Sequence, residues 1–136
     1  MFRNISVIGL GKLGYPMAQF LSSSGAKINC YDKDGELVDK LKKNQGNHLH
    51  EIGLHNLVNN KNDLVYHQNI SDCIFDSEII YITVPTPSKL DGSFSNEVII
   101  EILDQIADVI LKSKRHYIIN INSTVQPGSI EGELIP

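Results

Sequence analysis

The segment ISVIGL, residues 5–10, runs directly into GKLG and then into PMAQFLSSSG, and no other succession in the chain restricts the fold as strongly. A short, β-branched apolar run reads as a buried strand. Glycines at positions 9, 11 and 14 interrupt it at once, so the chain must turn there. The next segment reads as a helix. Pro16 falls in its first turn, where a missing N–H costs little, and Gly25 stands at its stop.

The same alternation continues along the chain. AKINCYD reads as a second strand, and GELVDKLKKNQG as a helix with Leu37, Val38 and Leu41 on one face and Gly46 at its end. After a looser segment, NHLHEIGLHNLVNN, DLVYH reads as a third strand and SDCIFDS as a short helix opened by Ser71. EIIYITV is a fourth strand. NEVIIEILDQIADVILKSK is a long amphipathic helix with Ser95 as its expected cap, and HYIININ is a fifth strand. Continuous apolar strands separated by helices imply a parallel sheet covered on both faces. Right-handed crossovers then give a doubly wound, three-layer αβα domain of the Rossmann type. A flavodoxin-like arrangement is the alternative. The 136 residues suit one domain, residues 1–136, with a modest core.

Composition narrows the function. A net charge of −4 argues against nucleic acid as a partner, since phosphate backbones demand a basic surface. It leaves open a small phosphate ligand held by backbone N–H groups. No apolar stretch approaches membrane-spanning length, and no signal peptide is evident at the N-terminus. Two cysteines, Cys30 and Cys73, are too few for a disulfide framework and suit a reduced, cytoplasmic protein.

The glycine run reads Gly9-Leu10-Gly11-Lys12-Leu13-Gly14. Alone, G-x-G-x-x-G is a weak signal, and a structural turn explains it as well. Its place between a first strand and a first helix strengthens it. Gly9 permits the tight turn, Gly11 lets a pyrophosphate approach the backbone, and Gly14 lets helix and strand pack closely. The helix N-terminus adds oriented N–H donors and partial positive charge. Lys12 adds a charge, or is simply a solvated surface lysine. Asp32 closes the second strand, at the expected remove of roughly 20 residues. A carboxylate there accepts from an adenosine ribose and repels a 2′-phosphate, which favours NAD over NADP. The alternative is an Asp that caps a turn.

Other candidates fall short. HLHEIGLH resembles the zinc-binding H-E-x-x-H pattern, but His55 stands one place too far from His50 and Gly53 intervenes, so no metal site is expected. Neither cysteine has the local charge of a nucleophile. Ser22, Ser23 and Ser24 read as a polar helix end.

Four segments together resemble the UDP-glucose/GDP-mannose dehydrogenase family, and in particular its N-terminal NAD-binding domain. The glycine run is the first. GNHLHEIGLHNLV is similar to the family's Glu-Pro-Gly-Leu turn, with Ile52 in place of the proline. SEIIYITVPTPSKLDGSFSNEVI matches its strand, Val-Pro-Thr-Pro loop and helix. NSTVQPGS is similar to its Ser-Thr-Val-Pro-Pro-Gly-Thr segment, with Gln126 and Ser129 as departures. The resemblance implies that Val84, Pro85, Thr86 and Ser123 lie along NAD, and that Thr124 matches a threonine that helps position a catalytic water. It implies oxidation of a nucleotide-sugar 6-hydroxyl to a carboxylate, through a cysteine in a Gly-x-Cys-x-Pro-Lys-Asp segment that these 136 residues lack. The chain is therefore expected to be part of a larger enzyme whose other regions hold the sugar, and an edge fifth strand makes a homo-oligomer possible. GLGKLGYPMA also resembles the β-hydroxyacid dehydrogenases, which usually link their second and third strands more tersely and lack the long Thr-Pro…Asp-Gly-Ser loop. A non-catalytic dinucleotide-binding module is the third reading.

Overall fold

Strand geometry sends alternate side chains to opposite faces, and in this protein it supplies two separate cores. The computed structural model describes residues 3–43, 64–113 and 115–134. Five strands, β1 (Asn4–Ile8), β2 (Lys27–Tyr31), β3 (Leu64–Tyr66), β4 (Ile79–Ile82) and β5 (Ile118–Ile121), form one sheet in the order β3-β2-β1-β4-β5. Every pairing is parallel. The helices are α1 (Gly14–Ser22), α2 (Gly35–Lys42), α3 (Ile70–Ile74) and α4 (Glu97–Ser113). A π-helical turn, Ile130–Leu134, follows β5. The doubly wound parallel arrangement is the one that the alternating pattern implies.

Ile5 and Val7 of β1 join Ile28 and Cys30 of β2 in a core closed by Tyr15 and Ala18 of α1 and Val38 and Leu41 of α2. Ile8 joins Ile80 and Ile82 of β4 on the other face, under Ile70, Cys73 and Ile74 of α3 and Ile102 and Ile106 of α4. Two polar residues intrude on this second face, and each is satisfied. Ser6 Oγ donates to the Cys73 carbonyl at 2.7 Å and also bonds the Ser77 hydroxyl. Asn29 Oδ1 pairs with His67 Nε2 at 3.0 Å.

Two helix starts differ from expectation. α3 is capped by Asn69, whose side chain accepts from Asp72 N–H at 2.8 Å, and not by Ser71, which lies inside the helix. An asparagine in extended backbone reaches the N3 donor directly. At α4 the first helical bond, Ile100 N–H to the Asn96 carbonyl at 2.9 Å, puts the cap position at Asn96. The Ser95 hydroxyl accepts from Glu97 N–H only at 3.4 Å. α1 ends at Ser22, and Gly25 then turns the chain with φ +85°. α2 ends at Lys42. Gly46 and the histidine-rich segment lie outside the described residues.

Glu78 ties the sheet's lower end together. Its carboxylate accepts from Arg3 N–H at 2.6 Å, its N–H donates to the Asn4 carbonyl, and its carbonyl accepts from Ile118 N–H. The hydrogen bond from Arg3 holds its carboxyl below the usual range. A carboxylate depressed in the folded state adds stability above its unfolded value, 4.5, and loses it as pH falls through the folded value. Urea melts from about pH 6 to about pH 3 should therefore show Glu78→Gln losing less stability on acidification than the wild type. In the core, Ile80→Ala opens a cavity under α4 and should lower the unfolding free energy by about 3 kcal/mol in the same assay.

Candidate functional site

The exits of β1 and β4 sit side by side at the point where strand order reverses, and their backbones approach closely there. Gly9 has φ +94°, and a Cβ on it would lie 2.5 Å from the Thr83 carbonyl oxygen. Thr83 N–H donates to the Ile8 carbonyl at 2.8 Å, and Thr83 Oγ1 donates to the Gly9 carbonyl at 2.8 Å. Gly14 packs against the same turn, where a Cβ would collide with the Gly9 carbonyl and the Thr83 hydroxyl. Two of the three glycines are thus required by the protein itself.

Gly11 is different. A Cβ on it would meet no protein atom within 4 Å, and the residue faces a crevice of about 280 Å³. The N-terminus of α1 opens beside it. No side chain caps this helix at Leu13, and its first turn carries no acid. By contrast α2, α3 and α4 each have an acidic residue in the first turn. An uncapped positive helix end beside a glycine with open space is a cradle for an anion.

Asp32 stands across the crevice at the end of β2. Its Oδ2 accepts from Leu10 N–H at 2.6 Å, and its Oδ1 accepts from Asp34 N–H at 2.9 Å. Each carboxylate oxygen has a second lone pair, so the group holds the glycine turn and still has acceptor capacity for a diol. Leu10 itself is fully buried in the first core and reaches the site by its backbone alone. Lys12 and Leu13 are exposed and do not line the crevice.

Val84 and Pro85 line the crevice, whereas Thr86 does not. Ser123 grips Val84 from both sides: its hydroxyl donates to the Val84 carbonyl at 2.7 Å and accepts from Val84 N–H at 2.9 Å. That clamp joins the exits of β4 and β5. Thr124 is exposed next to it and, like Ser123, lies off the crevice. Beyond Pro87 the chain makes a small hairpin, with a bridge between Ser88 and Phe94 and a tip turned by Gly92 at φ +83°. Asp91 accepts from both the hydroxyl and the N–H of Ser93 there, which holds its carboxyl below the usual range.

Several crevice residues carry no signal in a linear reading. Leu37 of α2, Ile70 of α3, and Val98, Glu101, Ile102 and Gln105 of α4 all face it. The α4 set has the spacing i, i+3, i+4, i+7, the mark of a single helix face, but only the packing shows that this face borders the site. Cys30 and Cys73 are fully buried, and burial raises both thiols, Cys73 to about 12. Neither is an activated nucleophile.

A parallel sheet in this order, a glycine turn under an open helix end and an acid closing the second strand together define a Rossmann-type dinucleotide-binding domain. The model of the UDP-glucose/GDP-mannose dehydrogenase family, NAD binding domain, matches residues 3–135, and the chain belongs to that family. Its cofactor is NAD. GDP-mannose 6-dehydrogenase of Azotobacter vinelandii is 31% identical over 137 residues, covering 97% of this chain and 31% of that protein. A UDP-glucose 6-dehydrogenase of Bacillus subtilis is 32% identical over 129 residues, covering 93% and 28%. The crystal structure of GDP-mannose dehydrogenase from Pseudomonas aeruginosa superposes with a TM-score of 0.88 at 27% identity, over 97% of this chain and 31% of that one. The chain thus spans less than a third of the length of these relatives.

Substituting the glycines separates packing from binding. Gly11→Ala should leave the unfolding free energy within about 0.5 kcal/mol of wild type while weakening NAD at least about tenfold, one lost contact's worth. Gly14→Ala should instead destabilise the fold itself, measurable as a fall in Tm. Thermal denaturation and NAD titration on both variants check the pair.

Proposed function

We propose that this chain is the cofactor-binding part of a cytoplasmic, NAD-dependent nucleotide-sugar 6-dehydrogenase, with residues 1–136 acting as a single domain. NAD, when bound, supplies the hydride acceptor for oxidation of the sugar 6-hydroxyl. The observation that carries the cofactor half of this reading is Gly11, open to the crevice between the α1 N-terminus and the Asp32 carboxylate. In this arrangement the α1 N–H groups hold the pyrophosphate, and Asp32 accepts from the adenosine ribose. Gly9, Leu10, Lys12, Leu13 and Gly14 shape or flank the turn. Val84 and Pro85 wall the crevice, Thr86 follows them just outside it, and Ser123 positions that wall through Val84. Thr124, exposed beyond β5, serves the reacting end.

The family match supports this reading over a β-hydroxyacid dehydrogenase. The sugar is held by regions other than this chain, and the second oxidation uses a thiolate that neither Cys30 nor Cys73 supplies. No helix among the described residues is long and apolar enough to cross a membrane, and the proposal includes neither membrane nor nucleic acid as partner. β5 has a free edge among the described residues, with Ile118 and Ile119 exposed, which suits pairing between copies of the protein.

Two measurements test the proposal. Calorimetric titration should show NAD binding at least about tenfold tighter than NADP, because a 2′-phosphate beside the Asp32 carboxylate meets like charge. Asp32→Ala should weaken NAD and narrow that ratio. Equal affinities in the wild type would defeat the Asp32 assignment. The purified chain, incubated with NAD and UDP-glucose, UDP-N-acetylglucosamine or GDP-mannose, should produce no sustained NADH absorbance. Turnover that a Cys73→Ser change abolishes would show that the cysteine is a nucleophile after all.

A further inference from the structure

We infer that the outer face of the α3–α4 pair is a docking surface for a second copy of this chain, set antiparallel about a two-fold axis. A groove of about 390 Å³ runs between the two helices. Val109 of α4 lies in it, and Phe75, which ends α3, borders it. Phe75 is 60% exposed, and Leu111 of α4 is 81% exposed. Large apolar groups held in water on one pair of helices favour a partner that covers them.

The charges choose the partner. On its solvent side α4 carries Asp104 and Asp108 and then, one turn on, Lys112, an order that also suits the helix macrodipole. Asp108 and Lys112 are spaced i, i+4, at which a helix closes ion pairs on itself. Among the described residues neither is ion-paired. The cation beyond them, Arg115, is already engaged: it donates to Asp76 at 3.0 Å and to the Phe75 carbonyl at 2.9 Å. Its guanidinium also lies 5.9 Å from the centre of the Phe75 ring, which holds that ring at the lip of the groove.

A row with acid first and base second complements itself only when the copy runs the other way. The axis then crosses α4 at right angles near residue 110, midway between Asp108 and Lys112. Each Asp108 faces the partner's Lys112, so the pairing forms twice, as an isologous contact requires. By helical geometry Leu111 stands on one flank of this row and Val109 on the other. Phe75 shares the groove with Val109 and Lys112. Both exposed apolar groups therefore lie near the level of the axis, where each meets its own counterpart. A partner of a single charge sign meets one matched and one repelling group here, whereas a second copy meets two matched ones. Asp108, Leu111 and Lys112 do not line the cofactor crevice, and this face is separate from the β5 edge.

Sedimentation velocity across the micromolar range tests the inference on wild type, Asp108→Lys and Lys112→Glu. The wild type should show a monomer–dimer equilibrium that weakens with added salt. Each single variant sets like charges opposite one another twice and should weaken the dimer at least about tenfold. An equimolar mixture of the two variants should restore it as a heterodimer, because every new charge then faces its opposite. Circular dichroism and NAD titration, which neither exposed position should alter, confirm that both variants are folded. A wild type that stays monomeric, a dimer that both reversals leave intact, or single variants that the mixture does not rescue each overturns the inference. None of these outcomes touches the NAD site.

Discussion

The backbone contact between Gly9 and Thr83 is the constraint on which the site depends. Two parallel strands can diverge at their carboxyl ends only if the turn leaving one clears the exit of the other. Here clearance comes from a residue without a Cβ and a φ of +94°, a conformation that side chains resist. Once Gly9 has turned, Thr83 locks it by donating to its carbonyl. Gly14 then settles α1 onto that same carbonyl, so the helix axis points at the crevice and its N-terminal N–H groups lie where an anion can use them.

Asp32 and Ser123 extend this framework to either side. Both were expected to touch the cofactor, and both hold backbone in the structure. Asp32 draws Leu10 N–H toward β2, which fixes the far wall of the turn, and it keeps acceptor capacity beside the crevice. Ser123 spends its donor and one acceptor site on Val84, so it steadies the wall and does not line it. The prolines at 85 and 87 complete the arrangement: they end β4, whose hydrogen-bonded partner strands cannot follow into a proline, and send the chain into a short hairpin that returns to α4.

The α4 helix links the fold to the crevice. Its deeply buried positions, Ile99, Ile102 and Ile106, fasten it to the sheet, and the crevice-facing positions follow by helical geometry, one step around the cylinder. Residues 98, 101, 102 and 105 are thus presented to the crevice on a rigid element.

Sequence alone determined the elements and their order. Period and punctuation are local properties: apolar β-branched runs, a glycine turn at fixed spacing and an acid at the end of the second strand can each be read without knowing what packs where. Residue resemblance then placed the family and the cofactor. Local reading also sufficed to dismiss the cysteines, since neither stands in the electropositive setting that activates a thiol, and Asp72 directly precedes Cys73. It went astray by two residues at the cap of α3, because Asn69 and Ser71 are both competent caps and only backbone φ/ψ chooses between them; at α4 the Ser95 hydroxyl does accept from Glu97 N–H, one residue before the first helical bond. What tertiary structure alone decided was the company each residue keeps. Thr83 sits inside a strand-like run and looks like core, yet it locks the glycine turn across the sheet. Glu101 and Gln105 look like the solvated side of an amphipathic helix, yet the crossing of α4 over β4 brings that side to the crevice. Such pairings join residues about 70 positions apart, as with Gly9 and Thr83, and they depend on the parallel register of β1 with β4, which is set by the packing of the whole sheet and by no local signal.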